Sequence, residues 1–217
     1  MIIKLTAITP DAEKHIEECA RTCYDSFDKM KEEVNGAFLK GLLKSGHLSV
    51  FEHALASFNV EDISRVCSHQ LVRHRTLSFS QQSQRYCEDE GGCFTMPTSI
   101  AADNGTIAAY YRAMDFAYST YNMLIMNGVP KEDARYVLPN AAPTRIAVSG
   151  NMSAWIQFLS KRLDKRAQLE IRMLAVGICG LLNDKCPNIF GDLWETAKAL
   201  DTPKTFPTGV PRKFEVI

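Results

Sequence analysis

Apolar residues recur along this chain at two spacings, and the switches between them mark its elements. Residues 1–8 alternate closely enough to predict a first strand. Thr9-Pro10-Asp11 then reads as a helix start, with Thr9 as N-cap and Pro10 in the first turn. Ile16, Cys19, Ala20 and Cys23 follow with the i, i+3, i+4, i+7 rhythm of a buried helix face. A second helix is predicted over 29–44, turning Phe38, Leu39, Leu42 and Leu43 inward, with Gly46 just past its end. Over 52–60 the period drops to two: Ala54, Ala56, Phe58 and Val60 alternate with His53, Leu55, Ser57 and Asn59, which predicts a strand.

From Asp62 the helical period returns, carrying Ile63, Val66, Cys67, Gln70, Leu71 and His74, and it gives way to an extended stretch whose Thr76, Ser78 and Ser80 share a face. Residues 87–104 are rich in Gly and Pro and read as irregular. A long helix is predicted over 105–127, closed by Gly128, and Pro130 opens a short helix running through Val137. Tyr110, Tyr111, Tyr118 and Tyr121 on the long helix suit either an oligomer face or the edge of a core. A strand over Thr144–Ser149 precedes helices over 151–163, 165–185 and about 189–199, and the tail over 201–217, with three prolines, reads as loop. There is no internal repeat and no low-complexity linker. The expected fold is α+β and helix-dominated: a single domain over 1–217 with a mixed, mostly antiparallel sheet flanked by helices.

Composition narrows the class. The 217 residues hold 25 Lys+Arg and 25 Asp+Glu, so the chain is neutral, whereas a binder of long polyanions normally carries a basic surplus. The longest uncharged apolar run, Leu174 to Leu182, falls far short of the roughly 18 residues of a membrane span. Met1-Ile2-Ile3-Lys4-Leu5 lacks a basic region followed by a long apolar core, so no secretory signal is expected. Seven scattered cysteines then read as reduced thiols of a cytoplasmic protein.

Against this neutral background stands the run from Arg73 to Tyr86. It holds three arginines, one histidine, three serines and three glutamines, with no carboxylate to balance them. Buried arginines need partners, so the segment is not core-forming. The direct physical reason for such a cluster is an anionic ligand, best a small phosphorylated one, held by guanidinium forks and hydroxyls. Two other readings use the same residues. An RNA-binding module could use Arg73, Arg75 and Arg85 with Phe79 and Tyr86 as stacking platforms, but neutral charge and the lack of an RNA-module signature weigh against it. A metal protein built from Cys67, His69, His74, Cys87 and Cys93 lacks any CxxC or HExxH spacing, so no metal is expected. Nor does a GxGxxG open a βαβ unit, which excludes a Rossmann dinucleotide site.

Arg73-His74-Arg75, seven residues, Ser83, then Arg85-Tyr86 resembles the signature of the flavin-dependent thymidylate synthases. Further landmarks agree in order: Gly46-His47 to Phe51-Glu52-His53, Glu132-Asp133-Ala134-Arg135 to Leu138-Pro139, Thr144-Arg145, Asn151, and Arg162 to Glu170. The resemblance implies a homotetramer with FAD at subunit interfaces, converting dUMP to dTMP with methylenetetrahydrofolate as carbon donor and NADPH as reductant through the flavin. It implies dUMP contacts from Gln70, Leu71, Val72, Arg73, Gln81, Gln82, Ser83, Gln84, Arg85, Arg135 and Arg162, the last set against the N3–O4 edge of the pyrimidine as the catalytic group. It implies FAD contacts from Ser49, Glu52, Arg73, His74, Arg75, Gln81, Asn151, Ser153 and Gln157, with His47, His53 and Arg166 as further candidates. Ser83 could alternatively attack the uracil as a nucleophile, but no base follows it in the motif, and an unactivated serine is a weak one. Three positions depart from the common pattern: Gln81 stands where many members have Glu, Ser153 where a longer basic residue is frequent, and Arg166 where a histidine often lies.

Overall fold

A computed structural model describes residues 1–87 and 93–203, together with the backbone of Thr208 and Gly209. Strands β1 (Ile2–Ile8), β2 (Leu55–Ser64), β3 (Ser78–Gln81) and β5 (Pro143–Asn151) form one antiparallel sheet in the order β1-β2-β5-β3. Between β3 and β5 comes the short β4 (Phe94–Thr95), which pairs with β6 (Thr208–Gly209). The helices are α1 (Ala12–Thr22), α2 (Gly36–Lys44), α3 (Arg65–Leu71), α4 (Asn104–Met126), α5 (Lys131–Ala134), α6 (Met152–Arg162), α7 (Leu169–Lys185) and α8 (Pro187–Lys198). The expected α+β, helix-dominated fold is the one observed.

The period-two pattern of β2 places Ala56, Phe58 and Val60 on one face, opposite Gly150, Val148 and Ile146 of β5. This face joins the main core, together with Trp155 and Phe158 of α6 and Ile171, Leu174, Ile178 and Leu182 of α7. Trp155 stacks edge-on against Phe58 and donates its indole N–H to the Ala56 carbonyl at 3.1 Å, so its polar atom is satisfied inside the core. A second cluster packs α4 over β4, through Phe94, Met96, Met114 and Tyr118. Tyr118 and Tyr121 are buried, and Tyr110 donates its hydroxyl to the Thr95 carbonyl, so these rings belong to the packing of this chain.

Several boundaries differ from the sequence expectation. Thr9 does not cap α1; its hydroxyl accepts from the Leu55 N–H and ties the end of β1 to β2, while Asp11, at φ 45°, leads into the helix. The helix expected over 29–44 begins only at Gly36, because Asn35 caps it by accepting from the Phe38 N–H at 3.0 Å. The helix expected from Asp62 begins at Arg65. β2 runs on through a register shift at Asp62, whose φ of 57° lies in the left-handed region that Asp tolerates, and Ser64 is the true N-cap. The helix expected from 165 starts at Leu169. Within the tail expected to be loop, Thr208–Gly209 is strand β6; positions 204–207 and 210–217 of that expectation lie outside the described residues. No helix among the described residues is long and apolar enough to cross a membrane.

Candidate active site

α3 is the hub of the site. Its side chains and carbonyls meet three other elements that carry the predicted residues. At its C-terminal end the chain reverses through hydrogen bonds from the His74 N–H to the Leu71 carbonyl and from the Leu77 N–H to the His74 carbonyl, and so enters β3. Leu71 is fully buried with that carbonyl engaged, which leaves Gln70, Val72 and Arg73 nearer the surface. Arg162, at the end of α6, donates from Nε to His74 Nε2 at 2.9 Å and from Nη2 to the Gln70 carbonyl at 3.3 Å. A guanidinium has no acceptor, so His74 accepts at Nε2 and keeps its proton on Nδ1. Its ring stands edge-on against Phe158, 4.9 Å between centroids. Burial, then the charges of Arg162 and Lys161, pull the His74 pKa down to about 4, so the imidazole is neutral near pH 7.

In the middle of α3, the buried Ser68 hydroxyl accepts from the Gln81 amide nitrogen at 2.9 Å; that nitrogen also donates to Thr144 Oγ1 on β5. Both amide hydrogens of Gln81 are thereby used, leaving its carbonyl oxygen for a ligand. At the N-terminal end, Arg65 lies beside Arg135. Burial first, and then that neighbouring cation, lower its pKa.

Ser83 follows β3 in a tight turn. Its hydroxyl oxygen accepts from the Arg85 N–H at 3.2 Å, and its carbonyl accepts from the Tyr86 and Cys87 N–H groups. The hydroxyl hydrogen remains for a ligand, and among the described residues no carboxylate or imidazole is bonded to Ser83 to activate it. Arg85 meets a carboxylate that its own segment lacks: Glu132 of α5, at 2.8 and 2.9 Å. Arg135 donates to the Glu132 carbonyl at 3.1 Å. Thus Arg162, Gln81 and Arg135 each meet α3, through the Gln70 carbonyl, Ser68 and Arg65, while Arg85 joins the Arg135 side through Glu132.

Other predicted residues fall differently. Arg73 and Arg75 are exposed and make no hydrogen bond or ion pair among the described residues. Gln82 and Gln84 flank Ser83, and the Gln82 N–H donates to the Arg145 carbonyl. Ser49 and Glu52 are exposed on the 3₁₀ turn Leu48–Glu52, which packs against α6, with His47 and His53 exposed at its two ends. Asn151 caps α6 by accepting from the Ala154 N–H at 2.8 Å; Ser153 is 2 % exposed, 3.5 Å from the Gln157 amide. Among the described residues no hydrogen bond joins this second group to Arg73–Arg75, although α6 meets His74 through Phe158 and Arg162. Arg166 is exposed and forked onto Asp164, whose carboxyl the hydrogen bonds from Arg166 hold down at about 2. Sequence reasoning missed Arg65, Ser68, Glu132 as a partner, and the buried Glu170. No periodicity separates them from ordinary helix positions.

Arg73 and Arg75, exposed and without a partner among the described residues, leave two guanidinium forks of the kind that suit phosphate groups. Comparison with known proteins gives the class its name. Residues 4–188 match the family model described as "Thymidylate synthase complementing protein". Similar proteins include flavin-dependent thymidylate synthases of Geobacter sulfurreducens, 44% identical over 88% of this chain and 86% of the relative, and of Mycobacterium tuberculosis, 35% identical over 85% and 80%. Among solved structures, thymidylate synthase X of Helicobacter pylori with FAD and dUMP superposes with a TM-score of 0.75 at 23% identity, covering 90% of this chain and 99% of that one. A UMP/dUMP methylase of Streptomyces cacaoi bound with 5-Br dUMP gives 0.77 at 24%, covering 92% and 95%. The chain belongs to the flavin-dependent thymidylate synthase family and is an enzyme of it.

Proposed function

We propose that this enzyme makes dTMP from dUMP by reductive methylation, with methylenetetrahydrofolate as carbon donor, FAD as hydride carrier and NADPH as its reductant. Family membership supports the dUMP-to-dTMP reaction. The observation that carries the mechanism is Arg162: its guanidinium is bonded to a neutral imidazole and a backbone carbonyl, and among the described residues no carboxylate is paired with it. Uracil becomes nucleophilic at C5 only if negative charge can build up on its N3–O4 edge, and a preorganised, uncompensated cation stabilises that charge as it develops. Arginine suits the task because it stays charged when water is excluded.

The other residues divide by ligand. The Ser83 hydroxyl, Arg85 and Arg135 hold the nucleotide phosphate, with Gln70, Gln81 and the Gln82–Gln84 backbone beside the base and sugar. Arg73 and Arg75 hold the FAD diphosphate, while the Nδ1–H of His74 is free to donate to the flavin. When bound, the flavin supplies hydride transfer. Ser49, Glu52, Asn151, Ser153 and Gln157 complete the flavin site from other subunits of a homotetramer in the cytoplasm.

Tritium release from [5-³H]dUMP, assayed with FAD, NADPH and methylenetetrahydrofolate, tests the proposal. Release coupled to dTMP formation is expected, from a yellow protein that bleaches with NADPH when air is excluded. A flavin-loaded protein that binds dUMP yet releases no tritium overturns it.

A further inference from the structure

Glu170, in the first turn of α7, is 2 % exposed, yet it is a carboxylate. Burial of such a group is tolerated only with full hydrogen bonding, and Glu170 has it: Oε1 accepts from the Ser64 N–H at 2.7 Å and Oε2 from the Ser64 hydroxyl at 2.5 Å. The Ser64 oxygen in turn accepts from the Cys67 N–H at 3.0 Å. Ser64 alone would cap α3, as serine usually does, so the carboxylate adds a demand on direction and position. Two residues earlier, Gln168 Oε1 accepts from Gln70 Nε2 at 3.2 Å. The start of α7 therefore grips both ends of α3.

α3 has seven residues, too short to hold a helix by itself, so tertiary clamps decide where it lies. It is also stiff: a shift at its N-cap is carried along a rod of about 10 Å to the Gln70 carbonyl and the turn bearing His74. Those are the two acceptors that aim Arg162.

We propose that Glu170 is a positioning residue for catalysis, setting the distance between α7 and α3 so that Gln70 and His74 orient the Arg162 guanidinium. The inference rests on the role given above to Arg162.

E170D and E170Q test it, compared at a temperature where each is folded. E170D keeps the charge but is one methylene shorter, so it holds Ser64 only by drawing α3 toward α7. Turnover falls by about 10²-fold while flavin binding is retained, because misplacement by about an ångström is enough for that loss. E170Q keeps the reach, still accepts from the Ser64 N–H, and turns over near the wild-type rate. The ¹⁵N shifts of the His74 imidazole supply a readout that a purely stabilising role would leave alone. They report a protonated Nδ1 with Nε2 as acceptor in the wild type and E170Q, and exchange between tautomers in E170D. Wild-type turnover and shifts in folded E170D overturn the proposal, as does a loss in E170Q equal to that in E170D. Should E170D not fold, S64A carries the same expectation with a smaller loss, and unchanged turnover and shifts in S64A overturn it. R162A separates the two claims. An active R162A removes the role of Arg162 itself, whereas an inactive R162A beside a fully active E170D sinks only the positioning role of Glu170.

Discussion

Two arginines of the site are held in opposite ways. Arg162 rests on neutral acceptors, an imidazole nitrogen and a carbonyl, so its position is defined while its full charge is left over. Arg85 is half-exposed and already paired with the Glu132 carboxylate, with Tyr86 beneath its guanidinium. The first arrangement suits a group that must stabilise charge appearing only during reaction, since nothing competes for the cation. The second suits a binding group that trades one anion for another, a surface carboxylate for a phosphate, at little net cost. In the proposed function, one end of the site serves chemistry and the other capture.

The contrast breaks most sharply at Arg162. R162A should cut turnover by about 10²–10³-fold while flavin stays bound, measured by tritium release and flavin absorbance. R85A should leave the maximal rate much less affected but weaken dUMP. Losing one charge-assisted contact, worth about 1.5–3 kcal/mol, raises Kd by roughly ten- to a hundredfold, as calorimetry would show. If R85A instead lowers the rate and spares affinity, the division between chemistry and capture fails.

Acid should reach the Arg162 end through His74. The His74 pKa is lowered from 6.5 to about 4 in the folded chain, so the unfolded state binds the extra proton first. Stability should therefore fall as pH drops from about 6.5 through about 4, more steeply in the wild type than in H74Q, as denaturant titrations across that window would show. Protonated His74 also ceases to accept from Arg162, so turnover should decline over the lower part of the same range. E132Q should change dUMP affinity in the opposite sense to R85A and by less, because it only frees Arg85 from its surface partner. Smallest of all, R166A should leave turnover and stability almost unchanged, since the Arg166 side chain is 92 % exposed and its pair with Asp164 lies at the surface.

Much of the fold was legible in the amino-acid pattern. The alternation of Ala54, Ala56, Phe58 and Val60, and the helical spacing from 151 onward, became β2 and α6 because each period leaves one apolar face that must be buried. Helix starts were less legible. The cap at Ser64 and the bend at Asp62 depend on partners far along the chain, and Thr9 was recruited by Leu55 instead of its own helix. Within the site, the clustering of Arg73, His74, Arg75, Ser83 and Arg85 was visible as charge without local compensation. The identity of each partner was not, because Glu132, Thr144 and Arg162 arrive from segments 47 to 88 positions away.

The sequence by itself determined the elements, the neutral background and the concentration of cationic and hydroxyl groups, all consequences of local composition and period. Only the tertiary structure decided which arginine keeps its charge and which shares it. That choice is made by desolvation and by carboxylates, imidazoles and carbonyls brought within 3 Å or so by packing, at distances that position along the chain does not encode.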